Sequence, residues 1–133
     1  MYLYWIGGQN YNKVMVDVYT RRGVLCSDQY YVYGQAIVKR SLVEFNIKDD
    51  VLEGISTDDR DTVILPKSCF KSIGPYAVKG CAFQRLVMPR NIKLRLQTRS
   101  LYGNEELTDY ISLSRNIEYD DNVFPRTIER RCF

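Results

Sequence analysis

The chain reads as all-β, a single antiparallel β-sandwich or Greek-key barrel with at most one or two short helical turns. Three observations lead there. Apolar and polar residues alternate with a period of two in several segments, the pattern of a pleated strand with one wet face. No apolar stripe with the 3.6-residue period of a helix persists for three turns. Glycine, proline and paired Asp or Asn residues interrupt the alternation where short connections would fall. At 133 residues, with 45% hydrophobic, 26% charged and only four prolines, the chain fits one globular domain spanning 1–133. Such a domain can bury roughly two thirds of its unfolded surface.

Tyr2 to Ile6 is a short aromatic strand closed by Gly7-Gly8. From Lys13 to Tyr19, Val14, Val16 and Val18 share a face, and Arg21-Arg22-Gly23 turns the chain into Val24-Leu25-Cys26. Gln29 to Tyr33 and Ala36 to Ile47 follow, separated by Gly34, with Val43, Phe45 and Ile47 opposite Glu44, Asn46 and Lys48. The acidic stretch 49–61 reads as a solvated loop or hairpin around Val51 to Ile55. It lacks the regular spacing of carboxylates with a central glycine that a calcium loop uses. Thr62 to Leu65 is a strand ended by Pro66, Lys67 to Ile73 is expected to form one helical turn, and Tyr76 to Val78 and Ala82 to Met88 are two more strands.

The central strand is expected within Asn91 to Asn104. Ile92, Leu94 and Leu96 face the core, Lys93, Arg95 and Gln97 face water, and Leu94 should be the most deeply buried of the three aliphatic positions. Gly103 supplies a positive φ at the turn, and Leu107 to Tyr119 then returns beside it as an antiparallel partner. Arg126 to Phe133 is a last strand. No internal repeat of the length that solenoids, propellers or repeat arrays use is evident.

Composition narrows function. With no histidine, the commonest general base and the commonest metal ligand are absent, and no group has the spacing of a catalytic, metal or cofactor site. A small enzyme would have to run on carboxylates, Tyr, Lys or Cys, for instance on a carboxylate pair of Asp59 or Asp61 with Glu105 or Glu106. The net charge of +3 comes from basic residues interleaved with acids, unlike the stripe of a nucleic-acid footprint. Lys93 and Arg95 leave a nucleic-acid-binding barrel as the alternative. Cys26, Cys69, Cys81 and Cys132 form no C-x-x-C motif and read as free thiols of a reducing compartment, with two disulfides as the other option. The start has no basic region and too short an apolar run for a signal peptide or membrane span, so an intracellular or particle-associated protein is expected.

Two stretches carry a resemblance. Val18-Tyr19-Thr20-Arg21-Arg22-Gly23-Val24-Leu25, with Ser72-Ile73 later, and Leu96 to Gly103, with Thr127-Ile128 later, are similar to the Greek-key motifs of βγ-crystallins. The positions of that family's calcium signature hold Lys67-Ser68 and Asn122-Val123, so the resemblance implies no calcium, and a free-standing βγ-crystallin-like domain is the further alternative it implies. The best-supported role is a non-enzymatic structural or interaction subunit, a homo- or hetero-oligomer partner in a larger assembly such as a viral particle. Eleven tyrosines, together with exposed arginines, are the residue types that interfaces favour. Tyr30, Tyr31, Tyr33, Arg95, Arg99, Tyr102, Arg130 and Arg131 are the candidate contacts.

Overall fold

The structure is a computed structural model that describes residues 2–4, 13–67 and 70–132. Its first half follows the alternation. Strands β1 (Tyr2–Tyr4), β2 (Lys13–Arg21), β3 (Val24–Tyr33), β4 (Ala36–Lys48) and β5 (Val51–Thr57) make an antiparallel meander. Arg22-Gly23 and Asp49-Asp50 are two-residue turns with both residues at positive φ, at 53° and 77° and at 51° and 64°. That geometry matches the right-handed twist of the flanking strands. Asp tolerates it because its short side chain can satisfy nearby backbone donors.

Beyond β5 the antiparallel expectation is overturned. Strands β6 (Thr62–Ile64), β7 (Ser72–Ile73), β8 (Arg85–Met88), β9 (Lys93–Leu96), β10 (Asp109–Ser112), β11 (Asn116–Tyr119) and β12 (Glu129–Cys132) fall alternately into two sheets. The large sheet runs β1-β2-β3-β4-β5-β7-β9-β11 and the small one β12-β10-β8-β6. The pairs β5–β7, β7–β9, β9–β11, β6–β8, β8–β10 and β10–β12 are all parallel. The fold is therefore a parallel-rich β-solenoid preceded by a meander, neither a sandwich nor a Greek-key barrel. Alternation reports that a segment is extended and half-buried; it does not say whether the next strand returns beside it or crosses to the opposite wall. Here it crosses. Leu107 to Tyr119 accordingly splits into β10 and β11 on different sheets, and β9 takes parallel partners.

The corners set the coil length. Val51, Ser72, Arg95 and Glu118 stack in register, at nearly even intervals along the chain. Tyr76, Arg99 and Asn122, evenly spaced in sequence, share φ values of 58°, 60° and 57°. The Tyr76 N–H donates to the Arg99 carbonyl and the Arg99 N–H to the Asn122 carbonyl, both at 2.9 Å. Gly80 and Gly103 recur at the same interval with φ of 84° and 98°. At Gly103 a Cβ would stand 3.0 Å from the Lys79 Cβ, so both conformation and space require glycine. The chain thus does contain a repeat, carried by corner geometry rather than by similar residues. Tyr76 to Val78 is one of these corners, not a strand, and Lys67 to Ile73 leads into β7 with no helical turn among the described residues.

Inside the coils, Leu52, Ile73 and Leu96 stack from one wall and Val63, Leu86 and Tyr110 from the other, all buried. Leu96, at 0% exposure, is buried more deeply than Leu94 at 3%, which corrects that expectation while keeping the assigned faces. On the outer side of the small sheet, Ile64 and Val87 pack against Val14, Val16 and Tyr31. The β2–β3 ribbon therefore lies against the outside of the solenoid, while Val43 and Phe45 of β4 join the interior core.

Leu96→Ala is expected to cost about 2 to 5 kcal/mol, the range for emptying a packed leucine site. Lys93→Ala should stay within about 0.5 kcal/mol. Denaturant titration of both variants measures the difference, and equal losses would exchange the two faces of β9.

Candidate functional site

The densest polar cluster lies where the ribbon meets the first coil. Asp59, in the corner before β6, is 1% exposed. Its Oδ2 accepts from the Tyr31 hydroxyl at 2.6 Å, from Gln29 Nε2 at 3.3 Å and from Ser41 Oγ. Its Oδ1 accepts from the Asp61 N–H at 2.8 Å and the Thr62 N–H at 3.4 Å, and lies 3.4 Å from Lys39 Nζ. Lys39 also pairs with Asp61 at 2.8 Å and its ammonium sits 4.9 Å from the centre of the Tyr31 ring. Burial opposes the charge on Lys39, but the two carboxylates outweigh it and hold the amine above its ordinary pKa. Burial, then the Asp59 charge, push the Tyr31 phenol well above its ordinary value. Each oxygen of Asp59 is taken up by donors and Lys39 stays protonated. The cluster is built to fasten the ribbon to the coil, and leaves neither a base nor a nucleophile free to act. The two acidic doublets of 49–61 sit at opposite ends of β5, and among the described residues no three acidic or cysteine side chains group around a common point.

Gln29 has a second task. Its Nε2 donates to the Thr62 carbonyl at 2.6 Å and its Oε1 accepts from the Ile64 N–H at 2.9 Å. The carboxamide thus stands in for the peptide group of a missing strand and closes the first edge of the small sheet. The large sheet has no free edge there, because β4 pairs with β5.

The other end differs. Among the described residues, β11 pairs only with β9 and β12 only with β10. In the coils, residues whose side chains face inward direct their backbone groups toward the following coil. The Ile73 carbonyl accepts from the Gln97 N–H at 3.0 Å, and the Leu96 carbonyl from the Asp120 N–H at 2.9 Å. By the same alternation, Ile117, Tyr119, Arg130 and Cys132 direct theirs out of the end. The inward columns also change character. Tyr119 follows Leu96, and Arg130 follows Tyr110. The Arg130 guanidinium lies over the rings of Phe124 and Tyr119, at 4.1 and 4.8 Å, and the Tyr119 and Tyr110 hydroxyls are 2.7 Å apart.

The expected contact residues scatter over this framework. Arg130 and Arg131 sit together on β12, with Arg131 3.8 Å from Glu129. Arg99 and Tyr102 lie at one corner, where Tyr102 meets Tyr76 edge-on at 6.5 Å. Arg95 is exposed and bonded to Asp120 at 2.7 Å. Tyr33 is exposed on the ribbon beside exposed Ile37, and half-buried Tyr30 lies under Arg40. Tyr31 is 1% exposed, so it belongs to the interior and not to a surface: its hydroxyl is claimed by Asp59. Sequence reasoning missed Gln29, Glu118, Tyr119 and Phe124, and it offered Asp59 only as one carboxylate of a possible catalytic pair, not as a buried hub. Cys26, Cys81 and Cys132 are free thiols, and Cys69 lies outside the described residues.

Compared with known proteins, the chain matches no family model, no curated protein and no solved structure. Nothing in these comparisons bears on the βγ-crystallin resemblance. No helix among the described residues is long and apolar enough to cross a membrane.

Two outcomes follow from the cluster. Asp59→Asn should cost about 3 to 5 kcal/mol, as expected when one partner of a buried charged network is removed, while Asp58→Asn on the exposed neighbour stays within about 0.5 kcal/mol. Stability should also fall above about pH 10, where tyrosine phenols ionise in the unfolded chain. The native values of Tyr31 and Tyr110 are both raised. The native state then binds more protons than the unfolded one, so the slope with pH is negative. The Lys39 contribution has the same sign, complete below its unfolded pKa and lost as pH rises. Tyr31→Phe should flatten this alkaline slope in denaturant titrations between pH 8 and 11; an unchanged slope would contradict the assignment.

Proposed function

We propose that the protein is a non-enzymatic assembly subunit that docks onto other protein chains through the C-terminal end of its solenoid. The observation that carries this reading is the difference between the two ends. One is closed by Gln29 and by β4, whereas the other directs the backbone donors and acceptors of two strands outward. Open strand edges are templates for pairing with another chain, and solenoids need their terminal coils covered. The end also gathers Tyr119, Phe124 and Arg130, residue types that interfaces favour. Arg131 joins this surface, and Tyr33, Arg99 and Tyr102 offer secondary contacts. The nucleic-acid reading has less support. Arg95 is already bonded to Asp120, and Glu118 stacks next to it on β11, so the wet face of β9 is of mixed charge.

The test is the native size of the protein in extracts of the cells that make it. Wild-type chain is expected in a complex larger than its own 15.6 kDa. Arg130→Pro, which removes one outward N–H while leaving the bonds to β10 in place, should elute alone. Elution of the wild type at the mass of a single chain would overturn the proposal.

A further inference from the structure

We infer that the occupant of this open end is a second copy of the same chain, joined about a two-fold axis so that β11 of each copy pairs antiparallel with β12 of the other. The inference rests on the assembly reading above and adds the partner and the register.

β11 and β12 run along opposite walls of the last coil, so a two-fold axis perpendicular to the solenoid can lay either strand on itself or each on the other; all of these pairings are antiparallel. Antiparallel partners must be in phase: opposite residues either both point their backbone groups at the interface or both point them away. The outward groups belong to Ile117 and Tyr119 on β11 and to Arg130 and Cys132 on β12. Pairing β12 with its own copy in phase sets Arg130 against Arg130 or Arg131 against Arg131, and like charges directly opposite disfavour a ladder. The axis that lays β12 on its own copy also lays β11 on its own copy, so the β12 conflict counts against every register of β11 with itself, including the one about Ile117 that sets Asn116 opposite Glu118.

Pairing β11 with β12 can avoid such a conflict within the span of β11. Two in-phase registers each overlap three residues of the strands; one sets Glu118 against Glu129, and the other places Ile117 opposite Cys132 and Tyr119 opposite Arg130. Between them Glu118 stands opposite Arg131. Glu118 and Arg131 are both exposed, and among the described residues Glu118 forms no ion pair, so an arginine across the interface would meet an available carboxylate. Tyr119 meets an arginine of the kind it already stacks with in its own chain. The one acidic pair left opposite at the strand end, Asp120 and Glu129, is relieved by the bond from Asp120 to Arg95. A two-fold axis repeats each contact, which yields a closed dimer in place of an open fibre.

Sedimentation of the purified chain tests this directly. Wild type should sediment as a dimer. Glu118→Arg and Arg131→Glu should each shift the dimer dissociation constant at least tenfold toward monomer without altering the circular dichroism spectrum. An equimolar mixture of the two variants should recover the dimer, because one copy then presents two arginines to the two glutamates of the other. The doubly exchanged chain, carrying both substitutions, should recover it as well. Purified wild type that stays monomeric, or a dimer indifferent to all of these changes, overturns the inference. A monomer in pure form together with a large complex in extracts would remove the second copy as partner and leave the assembly reading standing. A monomer in both would remove both.

Discussion

The carboxylate of Asp59 is the point on which the rest of the arrangement depends. A β-solenoid needs its first coil covered, and a meander hung from one wall would otherwise be free to swing away from it. Asp59 fixes the meander by accepting from Tyr31 and Gln29 of β3 and from Ser41 of β4, while the N–H groups of Asp61 and Thr62 orient it from the coil side. Burying an ionised group is costly unless it is fully bonded, so the cluster leaves the ribbon few alternative positions. Once Gln29 is held there, its carboxamide reaches the free edge of β6. The valines of β2 then lie over Ile64 and Val87. Hydrophobic contact could be made in several registers; the polar cluster selects one.

The last coil shows the opposite treatment. Its inward columns end in Tyr119 and Arg130 where the preceding coils carry Leu96 and Tyr110, and the outward column Ile64, Val87, Ile111 ends in Arg131. Charge in these positions prevents indiscriminate growth by strand addition, a known way of protecting edges. On the assembly reading proposed above, the same side chains also give the end a pattern that a matching surface can satisfy.

Much of the strand content was legible in the sequence, because a period of two is a local property. Lys13 to Tyr19, Ala36 to Ile47 and the faces of Ile92 to Gln97 are all found as the alternation implies. Connectivity was not legible, since hairpin and crossover leave the same pattern inside a strand. The decisive signals lay in the corners, where Pro66 and Pro89 stand at the same interval as Gly80 and Gly103. They were obscured because the residues that turn successive corners are Tyr, Arg and Asn, three side chains with little in common beyond their shared φ. The candidate contacts were chosen by residue type alone, which could not distinguish Tyr33, exposed, from Tyr31, buried. The hub that Asp59 and Gln29 form escaped for a similar reason: a buried polar cluster has the same composition as a solvated loop.

The stacked corners at Tyr76, Arg99 and Asn122 bear on how such a chain can change over time. Each corner residue bonds to its counterpart in the next coil, so a small gain or loss of chain between corners shifts every later side chain to the wrong wall. A gain or loss of one whole coil does not, because the next corner meets the same φ, the same backbone acceptor and the same inward column. Short insertions and deletions are thus confined by the ladder, whereas duplication of an entire coil passes through it. Length in this architecture is inherited in steps.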